Sequence, residues 1–457
     1  MTVTSSPETG AARRRAGIMS QPYTATTIGI FALIAFNAFE TMAVTTIMPT
    51  VSRDLEGFAL YALAFAAPLA SSVVGMVAAG AWSDRHGPAG SLVTSLGLFT
   101  VGVLVSGLAP SMSVLVAGRV VQGLGTGALI VSLYVVVGVI YPARLQPSVF
   151  AAFAAAWVLP SLFGPGVAAL VADVLGWRWV FLGIVALVAL AGLLVAPVVP
   201  GLRRSDDGRP PTPRSRLVWA ALAAVAVLGV ELAGSRGVAL AAAAAAVVVV
   251  ALRPLTPRGT LRAGRGLPSV IGTRGLMSAA FFCGQAYIVL VLQDRWGYSP
   301  GAAGIALTVV GVVWAGMSQV QARLGERVSS ETAMRIGSAV LLAAVIGLWL
   351  TVRLDGPGVL AGAAFVAAGA GMGFGFSRTG VAMLAASTGD DRGFNSSALS
   401  IADAMGAALA LAVCGIGFDL ARGAAGDPFL VVFGVAIVCA VGAVVTAART
   451  PVPVSPG

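Results

Sequence analysis

Residues Gly80-Ala81-Trp82-Ser83-Asp84-Arg85-His86-Gly87 form a short charged break between two apolar runs, near 59–82 and 91–110. A bilayer-spanning helix needs about 20 apolar residues, and each run is long enough. The break is therefore a tight turn between two membrane helices at one membrane face. The rest of the chain extends this pattern. Apolar runs recur near 24–50, 112–141, 146–174 and 178–198, then as a pair near 217–234 and 237–252. Six more lie near 275–293, 300–322, 332–352, 357–386, 395–417 and 428–447. The total is fourteen, in blocks of six, two and six.

The composition requires lipid as the solvent. Of 457 residues, 58% are hydrophobic and 10% charged, with a mean hydropathy of +0.94. Soluble domains run about 25% charged. This balance excludes disorder, a secreted disulfide scaffold and a conventional soluble enzyme. A polytopic membrane enzyme would need a polar catalytic cluster, and the sequence has no His-rich, Cys/His or paired-carboxylate constellation. All 28 basic residues are arginine and the net charge is +10. They fall between apolar runs and form no basic stripe with interleaved aromatics, so nucleic acid is not expected as a partner. Cys283, Cys414 and Cys439 lie inside apolar runs without metal spacing. His86 is the single histidine and builds no metal site alone. No metal or cofactor is expected.

Arg13, Arg14 and Arg15 precede the first run, but that run is too long for a signal peptide and lacks a clear cleavage site. With the loops numbered alternately from a cytoplasmic N-terminus, 20 arginines, Arg274 among them, fall inside and six outside. Arg119 and Arg378 fall within spans. This asymmetry is the one the positive-inside rule expects. It predicts a multi-pass cell-membrane protein with both termini cytoplasmic. The expected divisions are a tail at 1–23, a six-helix bundle at 24–200, a linker with two additional helices at 201–272, a second six-helix bundle at 273–448 and a tail at 449–457. Arg85-x-Gly87 and Arg323-x-Gly325 each close a second helix of their block. Two pseudo-symmetric bundles around a central cavity are transporter architecture.

Four motifs carry a mechanism. The break at 80–87 resembles the signature Gly-x-Leu-x-Asp-Arg-x-Gly-Arg-Lys of the major facilitator superfamily. Gly80, Asp84, Arg85 and Gly87 match, and Pro88 and Ala89 replace the basic pair. The resemblance implies the all-α major facilitator fold, with Asp84 part of a cytoplasmic latch between the halves. The alternative is a charged turn that only sets topology. Arg119-Val120-Val121-Gln122-Gly123-Leu124-Gly125 is similar to the family's Arg-x-x-Gln-Gly-x-Gly motif, whose arginine sets the proton affinity of a nearby acid. An arginine in a membrane helix normally faces water or a carboxylate. Gly123 and Gly127, and the series Gly369, Gly371, Gly373 and Gly375, read as close-packing positions rather than phosphate cradles. Pro160-Ser161-Leu162-Phe163-Gly164-Pro165-Gly166 resembles the antiporter motif of facilitator exporters; a plain packing kink is the alternative.

Glu40 opens a stretch ending at Pro49 that resembles the first helix of fourteen-helix drug:proton exporters. The resemblance implies that Glu40 carries the coupled proton, with Arg119 tuning it. Asp403 is the other deep carboxylate, in line with Ser396 and Ser400, and Asn395 to Gly406 resembles actinobacterial members of the group. It is either a second protonation site or half of a structural ion pair, with Arg378 one candidate partner. Glu231 reads as interfacial. Phe36, Asn37, Gln122, Trp157, Gln285, Tyr287 and Arg378 are candidate cavity residues, and Trp314 a further aromatic one. Gln285 occupies roughly the repeat position of Glu40, so the halves differ in ionisation. The expected function is proton-coupled efflux of amphipathic small molecules by a monomer driven by the proton gradient, with the substrate, protons and the lipid bilayer as partners. The alternatives are an uptake symporter or a lipid or metabolite exporter of the same fold.

Overall fold

The structure, a computed structural model, describes residues 17–450 apart from 22, 143–144, 146–148, 150–151, 154, 203–213, 235–236, 325–326, 389–390 and 425. The expected tail residues 1–16 and 451–457 and most of the arginine-rich linker lie outside the described residues, as do the side chains of Asp84 and Glu231. Among the described residues there are fourteen α-helices and no strands. They are α1 Thr24–Asp54, α2 Tyr61–His86, α3 Pro88–Gly107, α4 Met112–Ile140, α5 Val158–Val174 and α6 Arg178–Val195. The middle pair is α7 Arg214–Gly234 and α8 Val238–Leu252. The last block is α9 Leu267–Trp296, α10 Pro300–Leu324, α11 Ser330–Arg353, α12 Gly358–Ala385, α13 Arg392–Gly423 and α14 Pro428–Ala448. Eleven are long and apolar enough to cross a membrane; α5 and the stretches Ser215–Val230 of α7 and Ala239–Leu252 of α8 are shorter apolar segments.

Local chemistry sets the ends. Gly87 has φ +81° and is the single residue between α2 and α3. That conformation is open to glycine and strained for other residues, and Pro88 then starts α3 with its φ preset. The Ser111, Ser329 and Asp427 side chains accept from backbone N–H groups at the starts of α4, α11 and α14. One boundary differs from the hydropathy reading. The ninth run starts near 275, whereas α9 begins at Leu267 after Gly266 (φ +83°), with Pro268 in its first turn. Arg274 thus belongs to a membrane helix rather than to a cytoplasmic loop. Its charge ended the apolar run in the sequence, but its partners allow the helix to continue through it.

In the first bundle, α2 and α3 pack on α4, α1 packs on α5 and α6, and α3 on α6. In the second, α11 packs on α12 and α14, α9 on α12, α13 and α14, and α10 on α12. The bundles meet where α5 lies on α10 and α2 on α13, with α1 touching α9 and α10. Small residues form the α5–α10 seam. A Cβ at Gly304 would crowd Pro165 and Thr46, and one at Gly311 would overlap Ser161. The middle pair attaches through α7, whose face of Ala220, Ala223, Ala224 and Val227 is buried with Ala70 and Val73 of α2 and with Met405, Ala408 and Ala412 of α13.

The bundles are sealed together at the end away from the described termini. Arg53 Nη1 donates to Gln293 Oε1 at 3.0 Å and Nη2 to Asp294 Oδ1 at 2.6 Å. The Tyr61 hydroxyl donates to the Ala286 carbonyl at 2.7 Å. Tyr61 also packs on Tyr287, which packs on Phe418, each with ring centroids 5.3 Å apart. The Arg422 guanidinium lies 5.3 Å from the Phe58 ring centre. Arg53 and Asp294 are partly solvated, so their ion pair contributes only about 0.2–1 kcal/mol. A contact of that size biases closure and does not lock it. Arg53→Ala should shift the open-to-closed ratio at this end by up to about fivefold. Spin labels on exposed Glu56 and Ser299 would report this as a larger long-distance population. The charge swap Arg53→Asp with Asp294→Arg should reverse it. Unchanged distances in Arg53→Ala would remove the pair from the seal.

Candidate functional site

Glu40 and Arg119 meet in the interior of the first bundle. Glu40 is at mid-length of α1 and Arg119 is in the third turn of α4. The Arg119 Nη1 group donates to Glu40 Oε1 and, at 2.8 Å, to Gln122 Oε1. Its Nε donates to the Ala64 carbonyl of α2 at 3.1 Å. One guanidinium therefore ties α1, α2 and α4 together. Both charged residues are almost fully withdrawn from the surface, at 3% and 5% exposure. A lone charge there would be costly, and the pair exists because its partners replace water.

Glycines bring the arginine into reach. A Cβ at Gly123 would overlap Ser71 and Pro68, and one at Gly127 would overlap the Ser72 carbonyl. The series 119, 123, 127 on α4 thus matches the level of 64, 68, 72 on α2. Both helices advance four residues per step and run in the same direction. The glycines of this motif serve close packing, as the sequence suggested, and one turn further the close approach puts Arg119 against Ala64.

The remaining expected residues fall in different places. Asn37 is buried one turn before Glu40, and Phe36 beside it is half-buried. Gln285 is buried in α9. Tyr287 lies in the seal between Tyr61 and Phe418 rather than against open space. Trp314 packs edge-on to Phe281 and Phe376. Trp157 is 38% exposed at the head of α5. In the Gly-Pro motif, Gly164 faces Met42 and Phe39 of α1, Pro165 faces Gly304 of α10, and Gly166 has open space. Pro160 is buried. The motif therefore stands on the boundary between the bundles. Gly80 also has open space, Gly87 forms the turn and Arg85 is half-buried, while the contacts of Asp84 are among those not described.

Asp403 has a different partner from the one considered in the sequence. Its Oδ2 accepts from Arg274 Nη2 at 2.9 Å, and its Oδ1 accepts from the Ser278 hydroxyl. Arg274 Nη1 also donates to the Phe376 carbonyl and the Thr379 hydroxyl, each at 3.2 Å. Arg378, on α12, is half-buried. Sequence reasoning missed Arg274, Ser278, Phe376 and Thr379. The available signal was Arg274 and Ser278 at i, i+4, one helix face, directly before an apolar run.

The chain as a whole is similar to known proteins. A family model described as Major Facilitator Superfamily matches residues 30–411. A probable multidrug-efflux transporter of Mycobacterium tuberculosis is 30% identical over 357 residues, covering 73% of each chain. An uncharacterized MFS-type transporter of the same organism is 33% identical over 155 residues, covering 34% of this chain and 27% of that protein. Among solved structures, a D-xylose–proton symporter superposes with a TM-score of 0.66 at 14% identity, over 91% of this chain and 96% of that one. At that identity the likeness is one of fold alone.

The buried pair makes an asymmetric prediction about stability. Glu40→Ala leaves Arg119 charged and without its counter-ion, and should destabilise the protein by about 3–5 kcal/mol. Replacing both residues by leucine should recover most of that loss. Thermal melting of the purified protein in detergent distinguishes the cases: a double replacement as unstable as the single one would show that the charge pair is not the source.

Proposed function

The chain belongs to the major facilitator superfamily, and from that premise we propose that it is a proton-coupled antiporter exporting amphipathic small molecules across the cell membrane. Transport by a non-enzymatic, multi-pass membrane protein follows from the family. Export, proton coupling and orientation are our reading. The observation that carries it is the Glu40–Arg119–Gln122 cluster, a protonatable group buried beside an arginine and reachable by rearrangement of α1 against α4. The Gly-Pro motif on the α5–α10 boundary and the multidrug-efflux relative support the export direction.

The arginine asymmetry supports placing both termini in the cytoplasm. The sealed end then faces outward, so the structure is an outward-closed state. In the proposed cycle, substrate enters from the cytoplasm or the inner leaflet as a proton leaves. The bundles rock about the α5–α10 and α2–α13 contacts, and Glu40 is reprotonated from outside as substrate departs. Protonation neutralises Glu40, which weakens its hold on Arg119 and lowers the cost of separating α1 from α4. One charge moved across the membrane potential contributes about 2.3 kcal/mol per 100 mV.

The test is substrate-dependent proton flux in proteoliposomes. Glu40→Gln keeps the size and an acceptor oxygen but cannot exchange a proton. It should abolish uphill export and substrate-driven proton movement while leaving substrate binding measurable. Proton flux in Glu40→Gln equal to wild type would remove Glu40 from this role. Substrate accumulating with protons, rather than against them, would replace the antiporter by an uptake symporter.

A further inference from the structure

The Arg274 head lies in an unusual enclosure. Its guanidinium carbon is 3.4 Å from the Phe376 ring centre. Around it converge the Asp403 carboxylate, the Thr379 hydroxyl and the Phe376 carbonyl, with Ser278 holding the second carboxylate oxygen. An aromatic face, a carboxylate and neutral oxygens around one positive charge are the elements that bind organic cations.

Two observations set this enclosure apart from a structural ion pair. Among the described residues the Arg274 Nε has no hydrogen-bond partner and is buried, whereas the Nε of Arg119 is satisfied by Ala64. Buried donors without partners are rare and costly. The Arg274 and Asp403 side chains are 19% and 26% exposed, against 7% and 4% for Arg119 and Glu40. The second pair is therefore reachable while the bundles are sealed at the far end. Arg274 stands seven residues into α9, the depth of Arg119 in α4, but at the end opposite the seal. That is about 10 Å of helix, so its long side chain can withdraw to the membrane surface.

We propose that the Phe376–Asp403–Ser278–Thr379 enclosure is a subsite for a monovalent amphipathic cation, and that Arg274 is a tethered cation that the substrate displaces. This rests on the export reading above and names the substrate class. A tethered competitor acts at high effective concentration, so it weakens binding of every external cation. It also keeps Asp403 neutralised whenever the subsite is empty, which avoids a bare carboxylate in a medium that penalises it. Substrate release and return of Arg274 become one exchange.

The test uses purified full-length protein and two probes of similar bulk, tetraphenylphosphonium and uncharged triphenylphosphine oxide. Arg274→Gln should raise the ratio of cation to neutral affinity about tenfold. Asp403→Asn should lower that ratio by a similar factor. Phe376→Leu keeps the ion pair and removes the ring, and should lower the ratio about fivefold. An unchanged or lowered ratio in Arg274→Gln overturns the proposal. If that variant does not fold, an unchanged ratio in Phe376→Leu overturns it instead. Wild-type protein that binds neither probe overturns the export reading as well. Binding of both probes that is indifferent to positions 274 and 376 overturns this inference alone.

Discussion

The guanidinium of Arg119 is the constraint around which the first bundle is arranged. A charge inside a membrane helix is costly, about 2.5–3.5 kcal/mol at the helix centre, so it persists only where protein groups replace its water. Glu40, Gln122 and the Ala64 carbonyl do so from three helices. This fixes the register of α4 against α2 to within a hydrogen bond's tolerance, and only glycine at 123 and 127 permits the approach. The arginine, the glutamine and the glycines are one device. Loss of any member changes what the others can do.

The two bundles share a helix count but not an electrostatic plan. Glu40 stands 14 residues from the sealed end of α1 (54 less 40), whereas Arg274 stands seven from the opposite end of α9. At 1.5 Å per residue the charge pairs lie about 21 Å and about 10 Å from opposite ends of their helices. The first is dry and the second partly wetted. Gln285, near the repeat position of Glu40, is buried and carries no charge. The matching helix arrangement therefore does not extend to the charges: Glu40 sits at mid-length of α1, and Arg274 near the end of α9 opposite the seal.

The helix count, their grouping as six, two and six, and the pairing of Glu40 with Arg119 were legible in the chain. Membrane helices must satisfy their backbone internally, so apolar length alone reports them. Arg119 and Glu40 were legible because charged residues are rare in such runs and stand out. The partner of Asp403 was not. Arg274 sits close enough to the end of its helix to be mistaken for a loop arginine, and only three-dimensional proximity to Phe376 and Asp403 separates the two readings. The packing of Tyr287 was not legible either, for a related reason. An aromatic residue in a membrane helix has the same hydropathy whether it lines a chamber or closes one, and its stacking on Tyr61 comes from the other bundle.

The middle hairpin touches both bundles through α7, and the face it offers consists mainly of alanine. Alanine ridges are low, so neighbouring helices on that face do not interlock as leucine or phenylalanine would make them do. A helix that bridges two bodies cannot stay fixed to both when one tilts. The larger groups at this contact are few: Trp219 packs against the alanine face, and the Arg216 guanidinium lies 4.6 Å from the Phe394 ring centre of α13, so the hairpin's hold on the second bundle is concentrated at the α7 start.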